Sequence, residues 1–137
     1  MDDELVDTNI FVRYLAQDHP DHSARALALL QEIETGDKTI TTCEGVIIEL
    51  VHVLSSKATY ARPRAWVRDA VGELLDLRGF RMPQKDVYRR ALDIYASSTV
   101  NFVDALLAAY AQRRSVHTII SFDKDLDRLA GIQRHEP

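Results

Sequence analysis

The sequence has a single cysteine, Cys43, so no disulfide can close within the chain. That excludes a disulfide-stapled scaffold and fits a reducing compartment. Zinc-ligand spacing is also missing. His19 and His22 flank Pro20 with no third or fourth ligand nearby. No apolar run reaches the roughly 20 residues of a membrane-spanning helix, so no membrane partner is expected. The start, Met1-Asp2-Asp3-Glu4, is acidic and has no signal or transit character. A cytoplasmic protein is therefore expected. There is no Gly-rich phosphate loop, no Ser-His-Asp pattern and no reactive-cysteine signature. Covalent nucleophilic catalysis thus has no obvious carrier.

What remains is an ordinary globular composition. Over 137 residues, 46% are hydrophobic and 28% charged, which is one domain's worth of chain with enough apolar material for a core. Net charge is −4, unlike a general binder of phosphate backbones. The charge is unevenly spread. Residues 57–90 hold nine Lys/Arg against four acids, leaving that stretch at +5 and the remainder at −9. Solvated helix faces would account for this, and so would a cationic rim beside an acidic centre.

Short β-branched runs alternate with longer helical patterns. Strands are expected at Glu4-Leu5-Val6, at Lys38–Thr41, at Phe80–Met82, at His117–Ser121 and at Ile132-Gln133. Helices are expected over Ile10–Ala16, from Pro20-Asp21 to a stop at Gly36, and over 43–55. Further helices run from Pro63 to near Gly79, from Pro83, from Asn101 to about Arg114, and from Asp123 to Ala130 with Gly131 as stop. Such alternation predicts an α/β fold, a mainly parallel sheet flanked by helices in a single domain.

In open α/β sheets function gathers at the carboxyl ends of strands. Asp7-Thr8-Asn9 follows the first strand, and Ser121-Phe122-Asp123 follows the fourth. Two more acids lie inside apolar helices: Glu49 in Val46–Val51 and Asp104 in Asn101–Leu107. Each has a local explanation. Asp7 suits a helix N-cap, Asn101-x-x-Asp104 reads as a capping-box variant, and Asp123 suits a first helical turn. Glu49 resists one, because a carboxylate among apolar neighbours is costly unless paired, coordinated or turned to solvent. Together they suggest more. Two carboxylates ~5 Å apart repel by roughly 3 kcal/mol at an effective dielectric near 20, so four converging acids need a cation. All-carboxylate sites suit Mg²⁺ or Mn²⁺ and serve phosphoryl chemistry.

Asp7-Thr8-Asn9, then Glu49, then Asp104 in Phe-Val-Asp-Ala-Leu-Leu-Ala-Ala, then Ser121-Phe122-Asp123-Lys124-Asp125-Leu126 resembles the PIN-domain ribonucleases. More narrowly it resembles the VapC-type toxins of bacterial and archaeal toxin–antitoxin pairs. The likeness spans essentially the whole chain, residues 1–137. It implies a PIN-like nuclease domain with a central parallel sheet, acting as a Mg²⁺- or Mn²⁺-dependent endoribonuclease on RNA. It implies Asp7, Glu49, Asp104 and Asp123 as the acidic quartet, with Asp7 and Asp104 as direct metal ligands. Glu49 would bind the metal or hold its water, and Asp123 would bind a second metal or act through water. Thr8, Asn9 and Ser121 match polar positions that hold the carboxylates or metal waters in place. A homodimer is implied, with an antitoxin protein that blocks the site and carries any binding to operator DNA.

The fourth acid stays open among Asp123, Asp125 and Asp127, with Asp123 preferred as nearest the strand end. Glu44, in a first helical turn, is set aside in favour of Glu49. Lys57, Arg62, Arg64 and Arg68 are candidates for RNA contact, and Lys124 and Arg128 are a second set. Tyr60 and Trp66 could stack a base, although Trp66 also fits the apolar face of its helix. Two alternatives remain. One is another Mg²⁺ phosphohydrolase or phospho-acceptor with Asp7 as nucleophile, although such sites usually place an acid where Asn9 stands. The other is a non-catalytic binding module on the same fold.

Overall fold

The structure, a computed structural model, describes residues 3–137; the acidic start at Met1 and Asp2 lies outside them. Residue contacts fall into two units that divide after Pro83.

The first unit runs β1 (Glu4–Leu5), α1 (Thr8–Ala16), α2 (Pro20–Thr35), β2 (Ile40–Thr41), α3 (Glu44–Ser55) and α4 (Arg64–Leu75). β1 and β2 pair in parallel, Glu4 opposite Ile40 and Leu5 opposite Thr41. The strand expected at Phe80–Met82 is reduced to one parallel bridge between Ile40 and Phe80. α1 starts at Thr8, earlier than the apolar spacing implied, because Asp7 caps it. α2 has Pro20 at its first position. Its cap is His19, whose Nδ1 accepts from the His22 amide at 3.1 Å. It stops at Gly36, where φ is +84°. The core of this unit gathers Phe11, Ile33, Ile40, Ile47, Leu50, Val51, Val67 and Phe80, all at most 1% exposed. The Phe11 and Phe80 rings stack with centroids 5.7 Å apart.

Gly79 lets this unit close. Its amide donates to the Ile33 carbonyl at 2.8 Å, and its carbonyl accepts from the Ile40 amide at 2.8 Å. A Cβ placed there would stand 2.1 Å from the Lys38 carbonyl oxygen and 2.8 Å from that of Ile33. Both obstacles are backbone, so neither can swing aside. Gly79→Ala should cost about 3 kcal/mol, seen as a lower midpoint in urea unfolding.

The second unit runs α5 (Lys85–Ser97), α6 (Phe102–Arg113), β3 (Thr118–Ile120), a 3-10 turn (Lys124–Arg128) and β4 (Gln133–His135). β3 and β4 are parallel, Thr118 opposite Gln133. α5 packs on α6, and Val87, Ala91, Leu92 and Ile94 of α5 and Ala105, Ala108 and Ala109 of α6 are buried. Tyr95 meets Phe102 edge to face at 5.9 Å. The helix expected over Asp123–Ala130 is this shorter 3-10 turn. Leu126 is the residue buried along it, which is too little apolar surface to sustain an α-helix. The last strand lies at 133–135, displaced from the expected Ile132-Gln133.

The fold class is α/β with parallel strand pairing, as the alternation of elements predicts. Among the described residues the pairing forms two two-stranded ladders, one in each unit.

Candidate active site

Asp7 stands at the carboxyl end of β1. That end is fixed by its neighbours. The Val6 amide donates to the Thr41 carbonyl at 3.1 Å, and the buried Thr42 hydroxyl donates to the Val6 carbonyl at 2.7 Å. The exposed Asp7 side chain then accepts from the Thr8 amide at 2.7 Å, as the cap of α1. Thr8 is 4% exposed, and its hydroxyl donates to Glu49 Oε2 at 3.1 Å. One residue therefore grips two carboxylates, Asp7 through its amide and Glu49 through its side chain. Glu49 lies mid-way along α3 on its exposed stripe, between the buried Ile47 and Leu50. The burial cost expected from its apolar neighbours does not arise. Asn9, also exposed, sits in the first turn of α1.

Thr42 could not be singled out from sequence, since its role depends on β2 returning beside β1. Replacing it with the isosteric valine leaves the Val6 carbonyl buried without that partner. Thr42→Val should lower stability by about 1–2 kcal/mol in urea unfolding.

In the second unit, Asn101 caps α6 by accepting from the Asp104 amide at 2.9 Å. This is the local capping that the Asn-x-x-Asp spacing suggested. The Asp104 side chain is only 6% exposed, and its Oδ2 has no hydrogen-bond partner. Burial pushes its pKa up to about 6, helped by the charge of Asp123, a hydrogen bond with Asp123, and the charge of Asp125. Asp123 caps the 3-10 turn, accepting from the Asp125 amide at 2.9 Å. Its own amide donates to the Ser121 hydroxyl at 2.9 Å.

The three acids of this turn have different partners. Asp127 is gripped by Arg134 at 3.0 and 3.2 Å, one guanidinium nitrogen to each carboxylate oxygen. That guanidinium holds it below the usual carboxylate range. Arg134 also donates to the Ser121 carbonyl at 3.1 Å, so it clamps the segment on both sides of Asp123. Asp125 pairs with Arg128 at 3.3 Å. Of the three, Asp123 is the acid that raises the Asp104 pKa most. The clamp by Arg134 was not foreseen, because it requires β4 to run back beside β3.

Among the described residues, no three Asp, Glu, His or Cys side chains form a ready metal-holding group. The residues nonetheless fit a hard divalent ion. A buried carboxylate oxygen without a partner, next to a second carboxylate, is an all-oxygen donor set whose repulsion a cation would relieve. Of the expected RNA contacts, Lys57 and Lys124 are exposed, and Arg64 opens α4. Arg68 meets Asp69 at 2.9 Å, and Arg128 also meets Thr99 at 3.0 Å. Arg62 lies over the Trp66 ring, 4.9 Å from its centroid, covering that face. The Tyr60 hydroxyl donates to Asp18 at 2.6 Å.

The PIN domain family model matches residues 5–132, nearly the whole chain. The chain belongs to the PIN domain family. PIN domains are in general metal-dependent nucleases, so membership points to a nucleic-acid substrate. The comparison with curated proteins finds no match for this PIN domain. No helix among its described residues is long and apolar enough to cross a membrane.

Proposed function

We propose that the chain is a Mg²⁺- or Mn²⁺-dependent endoribonuclease and the toxin of a toxin–antitoxin pair. It works in the cytoplasm, as a homodimer. Asp7, Glu49, Asp104 and Asp123 hold the ion, with Asp7 and Asp104 as direct ligands. The observation that carries this reading is the buried, partnerless oxygen of Asp104. A buried carboxylate oxygen without a partner is costly, and an ion held there would offset that cost.

A bound ion would supply polarisation of a phosphate oxygen and easier deprotonation of a water for in-line attack. The chain's own groups prepare that chemistry. Thr8 keeps the Asp7 and Glu49 carboxylates in fixed orientation. Ser121 holds the backbone of Asp123, and Arg134 withdraws Asp127 from competition for the ion. An antitoxin protein covers the site in the paired state, and operator DNA is bound through that partner.

Purified chain incubated with single-stranded RNA and Mn²⁺ should cut it, and EDTA should stop the reaction. Expression without a partner should arrest growth, whereas the Asp7→Ala variant should not. RNA left intact at every Mn²⁺ and Mg²⁺ concentration would overturn the reading.

A further inference from the structure

Two clefts of the first unit are similar in size and differ in character. The one between α2 and α4, about 560 Å³, sets the three acids Glu34, Glu73 and Asp76 against one cation, Arg78, in its lining, a balance that disfavours a phosphate. The other, about 520 Å³, lies between α1 and α2. Arg13, His22 and Arg25 line it beside Ile10 and Leu29, and among the described residues no carboxylate does. Its volume is that of a small-ligand site.

The cleft has the parts that a nucleotide needs. Arg13 is steadied by Asp18, which accepts from one of its terminal nitrogens at 3.1 Å and from the Tyr60 hydroxyl at 2.6 Å. A guanidinium has five N–H donors, so Arg13 keeps donors for a phosphate while its position is fixed. Arg25 is exposed, with a single loose ion pair to Asp21 at 3.6 Å. His22 is stacked on His19 with ring centroids 3.9 Å apart, which makes a flat aromatic step at the wall. Ile10 and Leu29 supply an apolar surface for a sugar or base face. Asn9 lines the same cleft two residues after Asp7, and Arg13 follows about 9 Å further along the helix axis than Asp7.

We propose that the α1–α2 cleft binds a nucleotide of single-stranded RNA flanking the bond to be cut, with Arg13 and Arg25 on its phosphate and His22 against its base. The proposal rests on the nuclease reading for its substrate, but not on cleavage for its test.

The test is binding of fluorescein-labelled, mixed-sequence single-stranded RNA to the full chain in EDTA, by anisotropy over a salt series. Arg25→Glu should weaken binding about tenfold and flatten the dependence of log Kd on log salt by about 0.7 for each phosphate left without its cation. His22→Ala should weaken it about fivefold with little change in salt slope, as removal of a stacking partner does. Arg114→Glu makes the same charge change at the end of α6 and should cost less than twofold. Equal weakening by Arg25→Glu and Arg114→Glu would reduce the effect to net charge and overturn the proposal. Unchanged affinity in Arg25→Glu would also overturn it and assign the cleft to an occupant other than RNA, such as a protein partner. The two readings fail separately. Wild-type chain that binds RNA through Arg25 but never cuts it with Mn²⁺ sinks the nuclease reading alone. Chain that cuts RNA equally well with Arg25→Glu in place sinks the cleft alone.

Discussion

Asp104→Asn should abolish RNA cleavage while making the metal-free chain more stable. The two effects share one cause. Burial and the neighbouring Asp123 and Asp125 lift the Asp104 pKa from 3.8 to about 6. Between those values the folded chain keeps a proton that the unfolded chain has released. Stability therefore falls as pH rises through that window, and the deficit persists at neutral pH. Its size is on the order of 2 kcal/mol, allowing for screening of the exposed Asp123 and the half-buried Asp125. Asparagine is nearly isosteric and uncharged, and its amide can donate to Asp123. The variant should melt about 6–10 °C higher than metal-free wild type at pH 7, and lie close to it at pH 4. Its cleavage rate should drop on the order of a thousandfold, beyond the roughly 10–100-fold drop typical of residues acting through another ligand. A variant that is destabilised, or that cuts RNA normally, would show that Asp104 serves only its own helix.

Chelation should have the next largest effect. EDTA should remove all cleavage, and Mn²⁺ should restore it. The same Mn²⁺ should raise the melting temperature of wild type, because an ion that binds only the folded state stabilises it. In Asp104→Asn that rise should be small or absent. Protons compete with the ion for Asp104, so the Mn²⁺ concentration giving half-maximal rate should climb as pH falls below about 6. At fixed, subsaturating Mn²⁺ the rate should decline by about tenfold per pH unit there, as one competing proton requires. A flat acid limb with unchanged Mn²⁺ demand would remove Asp104 from the metal site. Calorimetric melts and initial rates over pH 4–8 measure both effects.

The sequence was legible where a residue's job is local. The capping geometry of Asp7 and of Asn101 with Asp104, the stop at Gly36 and most helix spans follow from chemistry within one turn. It was less legible where the job depends on a distant segment. Glu49 looked expensive in a run of apolar residues, yet helical rotation turns it outward, where the Thr8 hydroxyl meets it. Thr42 and Arg134 hold the two strand ends that carry Asp7 and Asp123, and neither carries any local signature of that task. Among Asp123, Asp125 and Asp127 the spacing was mute; that Asp127 pairs with Arg134 and Asp125 with Arg128 depends on where β4 and the 3-10 turn lie. The shortness of the strands, two or three residues each, likewise leaves little periodicity to read.

Under the proposed nuclease reading, the burial of Asp104 has a consequence beyond catalysis. A folded chain that gains stability only on taking up a divalent ion opens more often when that ion is scarce, and open chain is what proteases degrade. Starving such a protein of Mg²⁺ or Mn²⁺ would then shorten its survival as well as silence it, so its abundance would track the ion supply without any dedicated sensor.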